Sequence, residues 1–223
     1  MPPQRPDPTA PHYPSPLEQI ADRWVHVVGL TAGGVGGLTL LGLSLGLGHF
    51  RQLAAIGIYA ACLMAMFLCS AAYNLASPAR RPLLRRFDHA AIFLMIAGSY
   101  TPFTTQSLTG AWAIGMTSTV WILALAGAAG KLLLPGLGRG FWVALYLALG
   151  WVAVIAVKPL LAGVSLAALV LLAAGGVVYS LGVIVYARPS LPYRRAIWHG
   201  FVFAAAAMQY AAVLTGVVLP AKA

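Results

Sequence analysis

The sequence predicts an all-α membrane protein: a seven-transmembrane helix bundle with its N-terminus cytoplasmic and its C-terminus outside. Three observations carry this. Hydrophobic residues make up 61% of the chain and charged residues 8%, whereas a soluble domain carries about 25% charged residues. The apolar residues gather into runs of the length that crosses a bilayer core, roughly 20 residues as helix. The basic residues fall in alternate loops. With 223 residues there is room for one domain of several spans.

The spans are read in order. The first run is Val25 to Leu47 and the second Leu53 to Leu75, ended by Ser77-Pro78. The third opens at Phe87 and is expected to stop at Pro102. The fourth is Trp112 to Leu134, closed by Pro135-Gly136, and the fifth Phe141 to Val157, closed by Lys158-Pro159. The sixth is Val164 to Tyr186 and the seventh Ile197 to Leu219. Each break is a proline, a glycine or a charge, the residues that end helices. Lys131 and Arg139 are the firm markers between the fourth and fifth runs. Residues 1–17, rich in proline and polar groups, are expected to be a disordered cytoplasmic tail with no leader sequence. Residues 18–219 form the membrane domain. His12 and His49, in tail and loop, are expected to be solvated. Cys62 and Cys69 share one run and lack metal or redox spacing, so they read as small core residues.

The net charge of +10 would suit a nucleic-acid partner, but the distribution of the cations excludes that reading, because they are spread over loops and form no single surface. Eleven lie in the tail and the second, fourth and sixth loops; Arg51, Lys158 and Lys222 lie on the other side. The positive-inside rule then places the tail in the cytoplasm, in a cell's inner (plasma) membrane, with membrane lipids as the partners. Glycines in the first and sixth runs read as helix-packing positions.

Polar residues at the ends of these runs are the functional candidates. An ionisable group at membrane depth is costly and marks a site by default. Asp88 is the only acidic residue after Asp22, and it opens an apolar run. Asp22 with His26, Ser70 with Asn74, and Arg195 with His199 are each four apart, hence on one helix face. In the seven-span topology all reach the cytoplasmic leaflet. His89 points about 100° from Asp88 and is a further candidate. A buried carboxylate needs a cation, either a metal ion or the guanidinium of Arg195, which is shaped for a bidentate pair with Asp88.

The stretch Arg86-Phe87-Asp88-His89 through Thr101-Pro102-Phe103 resembles the third-span signature of the hemolysin III family, the bacterial branch of the progestin and adipoQ receptor (PAQR) membrane proteins. Glu18 to Gly29, Ala148 to Trp151, Gly175 to Gly182 and Ile197 to Phe201 resemble other family segments, so the likeness covers residues 18 to 217. It implies seven helices with a cytoplasmic N-terminus. It also implies a metal-dependent hydrolase site built from Ser-x-x-x-His, Asp and His-x-x-x-His. Here those positions read Ser70-x-x-x-Asn74, Asp88 and Arg195-x-x-x-His199, and a further family histidine is Gln209.

Ser70, Asp88 and His199 are thus the candidate catalytic residues, with Asp88 and His199 as candidate zinc ligands. Asp22, His26, Asn74, His89 and Arg195 complete the cavity. The resemblance implies three readings. One is a membrane- or lipid-responsive regulator that takes a small lipid-like ligand in a degenerate hydrolase cavity, which the altered ligand set favours. The others are a zinc-dependent lipid amide or ester hydrolase and a pore-forming hemolysin. The spans carry no ring of charge or sustained polar face of the kind pores use.

Overall fold

The structure, a computed structural model, describes residues 12–134 and 136–219. Part of the expected tail (residues 1–11), Pro135 in the fourth break, and residues 220–223 lie outside the described residues. Everything regular in the rest is helical. The α-helices are α1 (Pro16–Gly46), α2 (Leu53–Leu75), α3 (Arg81–Gln106), α4 (Gly110–Leu133), α5 (Arg139–Gly150), α6 (Val157–Gly163), α7 (Leu166–Tyr186) and α8 (Arg194–Val213). A 3₁₀ stretch, Val152–Ala156, joins α5 to α6, and a π-helical turn, Leu214–Val218, extends α8.

Six segments are long and apolar enough to cross a membrane: residues 16–46, 50–75, 110–133, 139–163, 166–186 and 194–218. Large apolar side chains such as Leu38, Ile114, Leu133, Ile155 and Leu166 face outward. This is a multi-pass membrane protein. α3 has the length but lower hydropathy, because Asp88, His89 and a polar end from Ser99 to Thr105 dilute it. It lies between α2 and α4, its main neighbours.

Three boundaries differ from expectation. α1 begins well before Val25, because Ser15 caps it: the Ser15 hydroxyl accepts from the Glu18 N–H at 3.2 Å, and Pro16 occupies the first turn. α3 runs through Pro102 to Gln106 instead of stopping there. A proline removes only one helical N–H, and packing against neighbours holds such helices together. The fifth run is not one helix. It breaks after Gly150, and Tyr100 of α3 mends the break: its hydroxyl donates to the Gly150 carbonyl and accepts from the Ala153 N–H, both at 2.8 Å.

The helices pack as a ring. α1 contacts α2, α2 contacts α3, α3 contacts α4, and α8 closes back on both α7 and α1. Glycines let α1 approach its neighbour. A Cβ at Gly33 would lie 3.0 Å from the Phe67 ring, and one at Gly37 3.2 Å from the Ala60 Cβ, both on α2. The α5–α6 segment makes the sparsest contacts, and α3 barely meets α8. The ring therefore encloses a cavity of about 1260 Å³.

Candidate functional site

One end of the cavity gathers polar side chains from four helices. Asp22 and His26 come from α1, Ser70 and Asn74 from α2, Asp88 and His89 from α3, and Arg195 and His199 from α8. All but Asp22 line the cavity. Asp22 lies behind them, fully buried.

Asp22 is the hub. Its Oδ1 is 2.6 Å from Nδ1 of His199, and its Oδ2 accepts from the Tyr13 hydroxyl at 2.5 Å. Its backbone carbonyl is 2.8 Å from Nδ1 of His26. A carboxylate and a carbonyl only accept, so both imidazoles carry their proton on Nδ1. Both turn Nε2 toward Ser70. The Ser70 hydroxyl lies 3.3 Å from Nε2 of His26 and 3.5 Å from Nε2 of His199. The two rings meet edge-on with centroids 4.5 Å apart. Asn74 donates Nδ2 to the Ser70 carbonyl at 3.0 Å and places the same nitrogen 3.5 Å from Nε2 of His199.

The expected Asp88–Arg195 pair does not form. Arg195 donates Nε to the His12 carbonyl at 3.0 Å and lies over the Tyr13 ring, 5.7 Å from its centroid. Among the described residues, the basic nitrogen recorded nearest Asp88 is Nε2 of His89, 4.0 Å away and beyond hydrogen-bond reach. Arg195 is drawn away because residues 12 and 13 fold over the end of the bundle, where its guanidinium finds a carbonyl and a π face.

His12 is thus half-buried instead of solvated. Its Nε2 is 3.2 Å from Oδ1 of Asn74, and its ring meets Tyr73 edge-on. Burial, then the guanidinium charges of Arg195 and Arg81, pull its imidazolium down to about 4. Burial and the Asp22 carboxylate together hold the Tyr13 phenol well above its ordinary range. Sequence reasoning missed Tyr13 altogether. The signal was the Ser15-Pro16-Leu17-Glu18 capping box, which fixes where the chain enters α1 and thereby what precedes it.

The zinc centre implied by the family resemblance can be tested on these donors. Asp22, His26 and His199 form a group whose ligand atoms lie within 4.8 Å of one another. Zinc bonds of about 2.0–2.1 Å in tetrahedral geometry separate neighbouring donors by roughly 3.3 Å. The Asp22–His199 contact, at 2.6 Å, is a hydrogen bond too short to admit an ion. Both Asp22 oxygens are already engaged, Arg195 has no lone pair to give, and the Asn74 amide nitrogen is turned to a carbonyl. Two imidazole nitrogens and Asp88 remain. The residues do not fit the three-histidine set.

A helical bundle with a polar cluster at one end of an internal cavity defines a class of membrane protein, and comparison with known proteins narrows it. The family model described as Haemolysin-III related matches residues 17–210, and this chain belongs to that family. It is 32% identical over 198 residues to the Hemolysin-3 homolog of Bacillus subtilis (strain 168), covering 88% of this chain and 93% of that one. It is 32% identical over 168 residues to Hemolysin-3 of Bacillus cereus, covering 75% and 77%. The human Monocyte to macrophage differentiation factor is 30% identical over 167 residues, covering 70% and 67%.

Proposed function

We propose that this protein is a lipid-responsive regulator that holds one amphipathic lipid inside its helical ring. The observation that carries the reading is the cavity. Its 1260 Å³ exceeds the roughly 300–1,000 Å³ typical of small-molecule pockets. Its length is lined by apolar side chains, among them Met95, Phe103, Leu108, Met116, Leu160 and Leu172. A lipid chain matches such a lining, whereas an ion path requires polar groups. The polar end carries Arg85, Lys131, Arg139, Arg194 and Arg195 beside Asp88 and His199. That rim favours an anionic headgroup.

In this reading the chain spans the inner membrane seven times, with α3 as the least apolar span. The rim and the Ser70–Asp88–His199 cluster then face the cytoplasm, as the eleven-to-three split of basic residues supports. Native mass spectrometry of the purified chain tests the lipid. An anionic lipid should co-purify at about one per chain, and Ala173→Trp, which fills the cavity wall, should remove most of it. Retention of the same lipid by Ala173→Trp would place it on the outer surface and sink the reading.

A further inference from the structure

We propose that Arg85, Lys131 and Arg139 form a phosphate site at the polar end of the cavity that takes the monoester headgroup of a lipid; the proposal rests on the lipid-binding reading of the cavity. Arg85, Lys131, Arg139, Arg194 and Arg195 line the cavity, and Asp88 is the only carboxylate that does. Asp22 is spent on Tyr13 and His199. Two of the cations are held within the protein. Arg194 donates to the Tyr186 carbonyl at 3.3 Å and Arg195 to the His12 carbonyl at 3.0 Å. Arg85, Lys131 and Arg139 have neither a hydrogen bond nor a carboxylate partner among the described residues. Like charges gathered at one end of an apolar cavity repel one another, and an anion there relieves the repulsion.

Three helices bring these cations together. Arg85 precedes His89 by four residues on α3, so both share the face that lines the cavity. The neighbouring Arg86 donates to the Leu132 carbonyl at 3.3 Å and ties the end of α4 to α3. Lys131 of α4 rests over the Trp142 ring of α5, its Nζ 4.9 Å from the centroid. Gly130 permits this approach, since a Cβ there would stand 3.1 Å from the Trp142 ring. Tyr146, one turn further along α5, donates to the His89 carbonyl at 3.0 Å and holds α5 against α3. Arg139, at the start of α5, lies over the Tyr186 ring, 5.5 Å from its centroid. Lys131 stands within electrostatic reach of both Arg85 and Asp88. A cation resting on an aromatic face keeps its N–H groups free for an acceptor. Trp142 is 3% exposed, and its indole N–H is a further donor with no partner among the described residues.

The donors select the headgroup class. A phosphate monoester carries about −1.5 to −2 charge at pH 7 and three acceptor oxygens, which three cations from three helices can each meet. The guanidinium forks of Arg85 and Arg139 suit phosphate oxygens in pairs, and Lys131 adds a point charge. A phosphodiester headgroup carries less charge and one free oxygen fewer, so it leaves a cation unanswered. Further into the cavity, Ile92, Met95 and Ile96 of α3 and Leu147 of α5 give an acyl chain an apolar wall. The site stands apart from the Asp22–Ser70–His199 hydrogen bonds and uses none of them.

The test is native mass spectrometry of the full chain offered equal amounts of phosphatidic acid and phosphatidylglycerol with the same acyl chains, and separately glycerol 3-phosphate. The wild type should take up phosphatidic acid roughly ten-fold in preference to phosphatidylglycerol. Lys131→Gln with Arg139→Gln should remove that preference, and Lys131→Arg should keep it. Arg188→Gln, an exposed cation outside the cavity, should leave it unchanged. Thermal unfolding is followed in every variant, and Lys131→Arg shows whether the charge or the fold was lost. Equal uptake of the two lipids by the wild type, or a preference that survives in folded Lys131→Gln, Arg139→Gln protein, overturns the phosphate site while leaving the lipid-binding reading in place. Glycerol 3-phosphate held as tightly as phosphatidic acid overturns the lipid as the source of the phosphate. Glycerol 3-phosphate held by a chain that takes up no lipid, and lost in Lys131→Gln with Arg139→Gln, supports the three-cation site and overturns the lipid-binding reading.

Discussion

At the residue scale the site turns on one carboxylate that serves three partners. Asp22 is fully buried, and its charge is tolerable only because Tyr13 and His199 donate to it and His26 leans on its carbonyl. Removing one donor leaves a buried charge short of partners. Tyr13→Phe should therefore lower stability by about 1.5–3 kcal/mol, the usual worth of a hydrogen bond to a charged group, measured as unfolding in detergent. The residue types at this end were legible in the sequence: Ser70 with Asn74 and Arg195 with His199 line one cavity end, and of the third pair His26 lines it while Asp22 lies behind. The partnership was not. The sequence singled out Asp88 as the anchor, whereas Asp22 is the carboxylate that meets His199, and residues 12 and 13 take up Arg195.

At the element scale the N-terminal segment and the broken fifth span carry separable predictions. His12 is neutral in the folded protein well below its ordinary range, with a folded value of about 4. Its depressed value means that the unfolded segment binds more protons between about 4 and 6.5. The stability it lends is full above pH 6.5 and is lost as pH falls toward 4. The groups facing it are Arg195, Arg81, Asn74 and Asp22. The unfolding temperature should therefore fall between pH 7 and pH 4.5 by more in the wild type than in His12→Ala. In the fifth span, Tyr100 satisfies both a carbonyl and an N–H that the break releases. Polar backbone inside a bilayer has no water to turn to, so Tyr100→Phe should cost about 1–3 kcal/mol, read as a lower unfolding temperature. The sequence marked the helix ends set by glycine, proline and charge. It did not mark this break, because Gly150-Trp151 continues an apolar run and the feature that permits it is a tyrosine fifty residues earlier.

At the scale of the whole molecule, a ring of helices around an open centre places a polar cluster at one end of an apolar cavity. All-helical membrane architecture follows from composition and run length, and the structure agrees on both. The enclosed volume does not follow from them, since it depends on α3 and α8 standing apart, which no local pattern encodes. If α3 spans, the termini lie on opposite sides of the membrane. Reporter fusions should then be active in the cytoplasm at the N-terminus and outside at the C-terminus; two termini on one side would require α3 or another segment to stay out of the bilayer.

Hydrogen bonds centred on Asp22 hold the Asp22–His26–Ser70–His199 cluster together, and both Asp22 carboxylate oxygens are engaged in them. Metal analysis of the chain purified without chelator, wild type beside His199→Gln, tests whether those contacts suffice without an ion. Zinc far below one per chain is expected in both proteins. One tightly held zinc per wild-type chain, lost in His199→Gln, would contradict it.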